Sequence, residues 1–311
     1  MVAVAADAAF LCERKGGKMS GRYALVSACR NEEKYLDRLI ECVASQTLRP
    51  STWMVVDDGS TDATYDRARA AAEQVSFLRV ERMPVSGARS FASQAYAANH
   101  GYHSIRGEAF DFIGFLDADI RLSTDYYERL MVRFAEDPAL GLCGGRVIDI
   151  YGQRRLNSRA GSEAHHVAGG VQLFRREVFE RINGYTPIEG GGQDTIADVM
   201  VMMHGWTVRT FPDLEVEHLR PAGSVGQTSL QRGMAWGRKF YRLGYHPAFY
   251  ALQCLRRVRH PPVLVGSLLN GVGFLAASLR GEPRSVSEEF VQFQQRMQLE
   301  RLRGALGLGR R

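Results

Sequence analysis

The chain has 311 residues, 45% hydrophobic and 24% charged. That is enough for one large domain or two small ones around a substantial core, and it excludes a mostly disordered chain or a disulfide-stapled mini-protein. The absence of internal repeats excludes a solenoid, and a lone borderline apolar run excludes a multi-span transporter. The net charge of +6 is unevenly spread: residues up to His218 carry 25 basic and 30 acidic side chains, and those beyond carry 15 and 4.

The N-terminus is apolar for about ten residues, but Asp7 interrupts it and no basic region precedes it, so it makes a poor signal peptide. Residues 1–21 are expected to be a disordered extension. Residues 23–28 (YALVSA) read as a short buried strand. A helix follows, with Leu36, Leu39, Ile40 and Val43 at helical spacing. Residues 53–56 form a second strand that ends in Asp57-Asp58-Gly59-Ser60-Thr61-Asp62, a turn and a helix start, with Ser60, Thr61 or Asp62 as candidate N-caps. An Ala-rich helix to about Gln74, a strand over 77–82, a helix over 88–104 and a strand over 112–116 complete the first half.

Strands alternating with helices predict a mainly parallel sheet flanked by helices, with its functional groups beyond the carboxyl ends of the strands. The second half is less regular. It has a helix over 124–136, a strand over 141–150, and a Gly-rich segment from Gly169 leading into a helix closed by Asn183-Gly184. Next come Gly190-Gly191-Gly192, a helix starting near Gln193-Asp194, a strand over 206–211, and His218 shortly after it.

Beyond Arg220 the chain reads as several basic helices. Residues 263–279 form a 17-residue apolar run with arginines at both ends. A spanning helix needs about 20 apolar residues. A helix lying in the membrane interface, or re-entrant there, fits better than a full span, and packing within the protein is the alternative. The five cysteines are odd in number and lack CxxC spacing, so neither a disulfide framework nor a zinc site is indicated, and a reducing compartment fits.

Asp117-Ala118-Asp119 is the sharpest local signal. Paired carboxylates at a strand end suit a divalent cation that also grips phosphate oxygens; a solvated turn is the alternative. Asp57-Asp58 offers acceptors for a base or ribose edge, or serves only the turn. Asp194 is either a helix cap or a general base. His218 is either a third metal ligand or a solvated histidine beside Glu217.

Together, the stretches ALVSACRNEEKYLDRLIECVASQT, VVDDGSTDAT, FLDADI, GGVQLFRREVFERINGY and QDTIADVMVMMHGW resemble glycosyltransferase family 2, over roughly residues 22–220. The resemblance implies a GT-A α/β fold over 22–220 and an inverting transferase that uses a nucleoside-diphosphate sugar and Mg²⁺ or Mn²⁺. By position it implies Asp57 at the base, Ala28 and Glu32 bordering base and ribose, Arg89 lining the nucleotide site, and Asp117 near ribose and metal. Asp119 and His218 would bind the metal, and Asp194 would be the catalytic base.

Gln193 stands where the family usually has Glu, which alters the acceptor side, and Ser90 stands where it often has Asn. The Q-x-x-R-W motif of processive synthases is absent after Gln231, where Met234 and Ala235 hold the required places beside Trp236. That favours one sugar per encounter. Residues 221–311 then suit an acceptor, a glycan or a polyprenyl-diphosphate-linked saccharide, held at an anionic membrane on the cytoplasmic face by a peripheral or monotopic protein. Arg232, Trp236, Arg238, Lys239 and Tyr241 are the candidate acceptor and membrane residues. Nucleic acid is a poor partner, because the tail's aromatics and apolar run look membrane-like rather than groove-like. Two other readings are a non-catalytic nucleotide-sugar-binding or membrane scaffold protein, and a sugar-phosphate nucleotidyltransferase; the latter's N-terminal Gly-rich loop is missing after strand one.

Overall fold

The computed structural model describes residues 21–84, 90–157, 164–220, 229–256 and 265–305. Residues 1–20 of the expected extension over 1–21, and Arg89, lie outside them. The chain runs β1 (Tyr23–Cys29), α1 (Glu33–Ala44), β2 (Thr52–Asp57), α2 (Thr64–Ala72), β3 (Leu78–Arg82), α3 (Phe91–Ile105), β4 (Phe112–Leu116), β5 (Ile120–Arg121) and α4 (Tyr126–Glu136). It continues with β6 (Leu140–Tyr151), β7 (Arg154–Leu156), β8 (Val171–Arg175), α5 (Arg176–Arg181), α6 (Gln193–Met203) and β9 (Thr207–His218). Among the described residues there follow α7 (Ser229–Arg242), α8 (Pro247–Arg256), α9 (Val265–Leu279) and α10 (Glu288–Ala305).

The strands among the described residues form one sheet in the order β3-β2-β1-β4-β8-β6-β9-β5, with β7 on β6. β3, β2, β1 and β4 are parallel neighbours. β8 runs antiparallel to both β4 and β6, while β6 and β9 are parallel. The sheet is therefore mixed, where alternation alone predicted mainly parallel. β1 to β3 progress one way across the sheet and β4 returns to the other side of β1. Sheets of this kind place their ligand sites at such a reversal, here beyond the carboxyl ends of β1 and β4.

Every residue of β2 is buried, as are all of β4 and most of β1, as expected of strands covered on both faces. Trp53 is fully buried, and its indole N–H donates to Ser27 Oγ at 3.1 Å. Leu36, Leu39 and Val43 bury the predicted stripe of α1. The helix after β2 begins at Thr64, where the Asp62 carboxylate accepts from Thr64 N at 3.0 Å.

β9 is longer than the sequence pattern predicts. Pro212 marks a break after Phe211, but pairing with β6 resumes beyond a register shift, with Gly145 opposite Phe211 and Arg146 opposite Glu215. His218 is thus the last residue of the strand rather than a loop residue after it.

The chain divides into two compact units. The first takes in residues up to Pro187 together with Gln193–Ala222 and contains the sheet. The second is Ile188–Gly192 with Gly223–Arg311. In the second, Phe240, Tyr241, Tyr250, Phe274 and Ala277 are buried together, with Tyr250 and Phe274 stacked at 4.7 Å. No helix among the described residues is long and apolar enough to cross a membrane.

Candidate active site

The loops after β1 and β2 are laced together. Asn31 adopts a positive φ of 56°, a conformation that Asn tolerates better than most residues. Its N–H donates to Ser60 Oγ at 3.0 Å, and its side-chain oxygen accepts from Thr61 N at 2.8 Å. Glu32 N donates to Thr64 Oγ1 at 2.7 Å. These bonds fix the carboxyl ends of two adjacent strands relative to each other. Ala28 is half-buried at this edge. Glu32 is 5% exposed and ion-paired with Arg220. Asp57 is fully buried; its carboxylate accepts from Ser60 N at 3.2 Å and pairs with Arg82 at 3.1 Å.

Asp117 follows β4. Its carboxylate accepts from Gln94 Nε2 at 3.0 Å, and its N–H donates to Gly170 O at 3.1 Å. Burial and the neighbouring Asp119 charge push the Asp117 carboxyl up to about 7, against the pull of His218 and Arg220.

The Gly169-Gly170 pair joins this carboxylate to the next one. A Cβ on Gly170 would lie 2.6 Å from Asp117 Oδ2, and one on Gly169 would lie 3.3 Å from Asp194 Cβ. The two adjacent glycines therefore lie close against Asp194 and Asp117, one against each, and leave no room for a side chain beside Asp117. Asp194 is half-buried in the first turn of α6, where its Oδ1 accepts from Thr195 N at 2.8 Å. The helix N-terminus favours its negative charge. Gln193 precedes it and is likewise half-buried.

Behind Asp194, one helical turn on, Asp198 is buried and accepts from His166 Nδ1 at 2.6 Å and from Gln172 Nε2 at 3.3 Å. Burial pushes its carboxyl up to about 6, although His166 opposes the shift.

His218 sits between two carboxylates because the end of β9 pairs with β6 on one side and β5 on the other. Asp149 lies opposite it in β6 and Ile120 opposite it in β5. Its Nδ1 meets Asp149 Oδ1 at 2.7 Å, and its Nε2 faces Asp119 Oδ2 at 3.5 Å. Arg220 Nε is 3.2 Å from the same Asp119 oxygen. Burial lowers the imidazole pKa, but hydrogen bonds to Asp119 and Asp149 outweigh it and raise it to about 9.

A histidine raised above its unfolded value of about 6.5 stabilises the fold fully below that pH and stops doing so as pH climbs through about 9. The stability gap between wild type and His218→Gln, measured by thermal unfolding in chelator, is therefore expected to narrow from pH 6.5 to pH 9. A gap that stays constant would remove this charge assignment.

Sequence reasoning missed Asp149, Arg220 and Gln94. Asp149 alone had a signal, an acidic residue inside the apolar run Val147-Ile148-Asp149-Ile150. The remaining predicted residues lie in the second unit. Trp236 is 42% exposed. Arg238 pairs with Glu282 at 2.6 Å, and Lys239 lies over the Trp236 ring at 5.2 Å. Tyr241, expected on an open surface, is instead buried in that unit's core, with Arg284 over its ring at 3.7 Å. The Arg232 side chain lies outside the described residues.

The chain has counterparts among known proteins. The chain is 35% identical over 111 residues to the O-antigen biosynthesis protein RfbC of Myxococcus xanthus, covering 35% of this chain and 8% of that one. It is 28% identical over 120 residues to the putative glycosyltransferase EpsH of Bacillus subtilis, covering 39% and 32%. The chain thus spans less than a third of either relative's length.

Among solved structures it resembles the mannosyltransferase PcManGT from Pyrobaculum calidifontis in complex with GDP-Man and Mn²⁺, at TM-score 0.53 and 18% identity over 92% of this chain and 80% of that one. It also resembles S. aureus TarS 1-349 in complex with UDP-GlcNAc, at TM-score 0.53 and 14% identity over 88% and 78%. These likenesses show the GT-A fold. The family description "Glycosyl transferase family 2" matches residues 25–183, half of the chain, and the chain belongs to that family.

Proposed function

We propose that this protein transfers one sugar, with inversion, from a nucleoside-diphosphate sugar to a hydroxyl of a glycan or polyprenyl-diphosphate-linked acceptor, in cell-surface polysaccharide or glycolipid synthesis. The observation that carries this reading is the adjacent pair Gly169-Gly170, one packed against Asp194 and the other against Asp117, the carboxylate that follows β4. Ala28, Glu32, Asp57 and Arg89 are assigned to the base and ribose, and Asp117 to the ribose. Asp194 takes the proton of the acceptor hydroxyl. That oxygen bonds to the anomeric carbon as the bond from that carbon to the diphosphate oxygen breaks on the opposite face. The diphosphate leaves as an anion and needs no proton, so one carboxylate suffices where glycoside hydrolases need two.

Asp119 and His218 are assigned to Mg²⁺ or Mn²⁺. Their facing donors fit a divalent cation: Asp149 on Nδ1 would orient the ring, and Nε2, which carries a proton towards Asp119, would release it on binding the metal. No group of three or more such donors gathers among the described residues, so the donor's diphosphate and water would complete the shell. When bound, the cation supplies charge that stabilises the departing diphosphate. Arg220 adds a fixed positive charge at the same point. The second unit, with Leu268, Val272, Leu275 and Leu279 exposed along α9, is assigned to an anionic membrane surface on the cytoplasmic side.

Calorimetry with UDP, GDP and dTDP, each with and without Mn²⁺, tests this reading. One nucleotide is expected to bind only with the metal, and Asp119→Ala is expected to abolish that metal-dependent binding. No binding of any nucleotide by folded protein would overturn the proposal.

A further inference from the structure

The second unit contains a cavity of about 530 Å³ that the sugar-transfer scheme does not use. It is enclosed by the Ile188–Gly192 loop, one face of α7, one face of α9 and the turn after α9. Its charged lining is unbalanced. Arg238, Lys239, Arg242 and Arg280 meet only Glu189 and Glu282. Glu282 is already engaged by Arg238 at 2.6 Å. Arg242 Nε is buried and has no hydrogen-bond partner among the described residues, at a position where an unmet donor is costly. The apolar lining, Met234, Leu243 and Ala277 among it, lowers the local dielectric and strengthens any ion pair formed there.

We propose that this cavity binds a phosphate-bearing group, a phosphomonoester or a diphosphate. The guanidinium groups supply planar paired donors and the ammonium a point charge, the combination proteins use for phosphate oxygens. The volume holds a diphosphate and the first atoms of what it is attached to. The inference rests on the sugar-transfer reading only for what that attached part is: an acceptor carrying its saccharide on a prenyl diphosphate, or a soluble phosphate compound. The bare anion chemistry stands without it.

The test is calorimetry on the full chain in EDTA, so that no divalent cation draws the probes to the donor site. The probes are inorganic pyrophosphate, geranyl diphosphate and, as the uncharged control, geraniol. Both diphosphates are expected to bind and geraniol is not. Tighter binding of geranyl diphosphate identifies the lipid-linked source, and equal binding identifies the soluble one.

Arg242→Gln is expected to weaken both diphosphates about tenfold or more, the loss of a charge-assisted pair. Arg280→Gln, at an exposed position where folding is not at stake, is expected to weaken them less but measurably. Asp119→Ala is expected to leave them unchanged. Absence of diphosphate binding, or unaltered binding in both arginine variants, would overturn the proposal. Metal-dependent nucleotide binding in the same variants reports on the sugar-transfer reading separately, so either can fail without the other.

Discussion

Asp194→Asn is expected to bind donor nucleotide as the wild type does while its turnover falls about 10²- to 10⁴-fold, the usual loss when a positioned base is removed. The argument is geometric. Asp194 is in the first turn of α6 with Thr195 N on its Oδ1, a contact an amide oxygen can also accept, so the loop and helix start are expected to survive the change. What the amide lacks is the basicity to take a proton. The residues assigned to base and ribose lie at the ends of β1, β2 and β4 and, for Arg89, ahead of α3, on elements other than α6, and so the nucleotide dissociation constant is expected to hold. Initial-rate measurements at saturating donor, with nucleotide titrations alongside, separate the two quantities. Turnover within a few-fold of wild type would remove Asp194 from the mechanism.

The largest structural loss is expected at Gly237. A Cβ there would lie 2.0 Å from Asn270 O and 2.6 Å from Phe274 N, both of them backbone atoms of α9. The partner position is equally tight, with a Cβ on Gly273 falling 2.2 Å from Met234 O. α7 and α9 thus touch backbone to backbone, and no rotamer change can relieve an added methyl. Overpacking typically costs about 1–3 kcal/mol, and Gly237→Ala is expected at or above the top of that range because helices rather than side chains must move.

Gly271 on α9 supplies the contrast. Among the described residues, no atom beyond its own stretch of helix lies within 4 Å of its added Cβ, so Gly271→Ala is expected to stabilise the helix by about 0.5–1 kcal/mol through its lower backbone entropy. Urea unfolding of both variants, followed by circular dichroism, reads the opposite signs. Losses of similar size in the two would contradict the packing described for α7 and α9.

The parts of the molecule legible in the sequence are those set by local pattern. The buried strands β1, β2 and β4 are short apolar runs ended by polar clusters, and α1 carries its stripe at helical spacing. Asp57, Asp117 and Asp119 were visible because carboxylates that end apolar strands are conspicuous. The mixed half of the sheet was less legible. β5 has only two residues and β7 three, too short for any period, and β9 continues through a proline that a local rule takes as its end. Arg220 and Gln94 left no trace because their meaning is tertiary. Each is an ordinary surface-type residue until another strand or helix brings a carboxylate to it. Tyr241 was misplaced for the reverse reason: an aromatic in a basic segment looks like a binding residue until a second helix covers it.

The five residues Ile188–Gly192 pack with the C-terminal unit, although the chain on both sides of them belongs to the sheet-bearing one. The C-terminal unit is consequently not a detachable appendage joined by one linker. A chain cut after Ala222 would strip those residues of the helices they pack on, immediately before the helix that carries Asp194. Loss of transfer in such a truncation would not by itself separate a defect in acceptor delivery from a defect in the base. For the same reason, grafting this C-terminal unit onto a related core would require exchanging the loop ahead of α6 as well, so the two segments would have to be inherited as a pair.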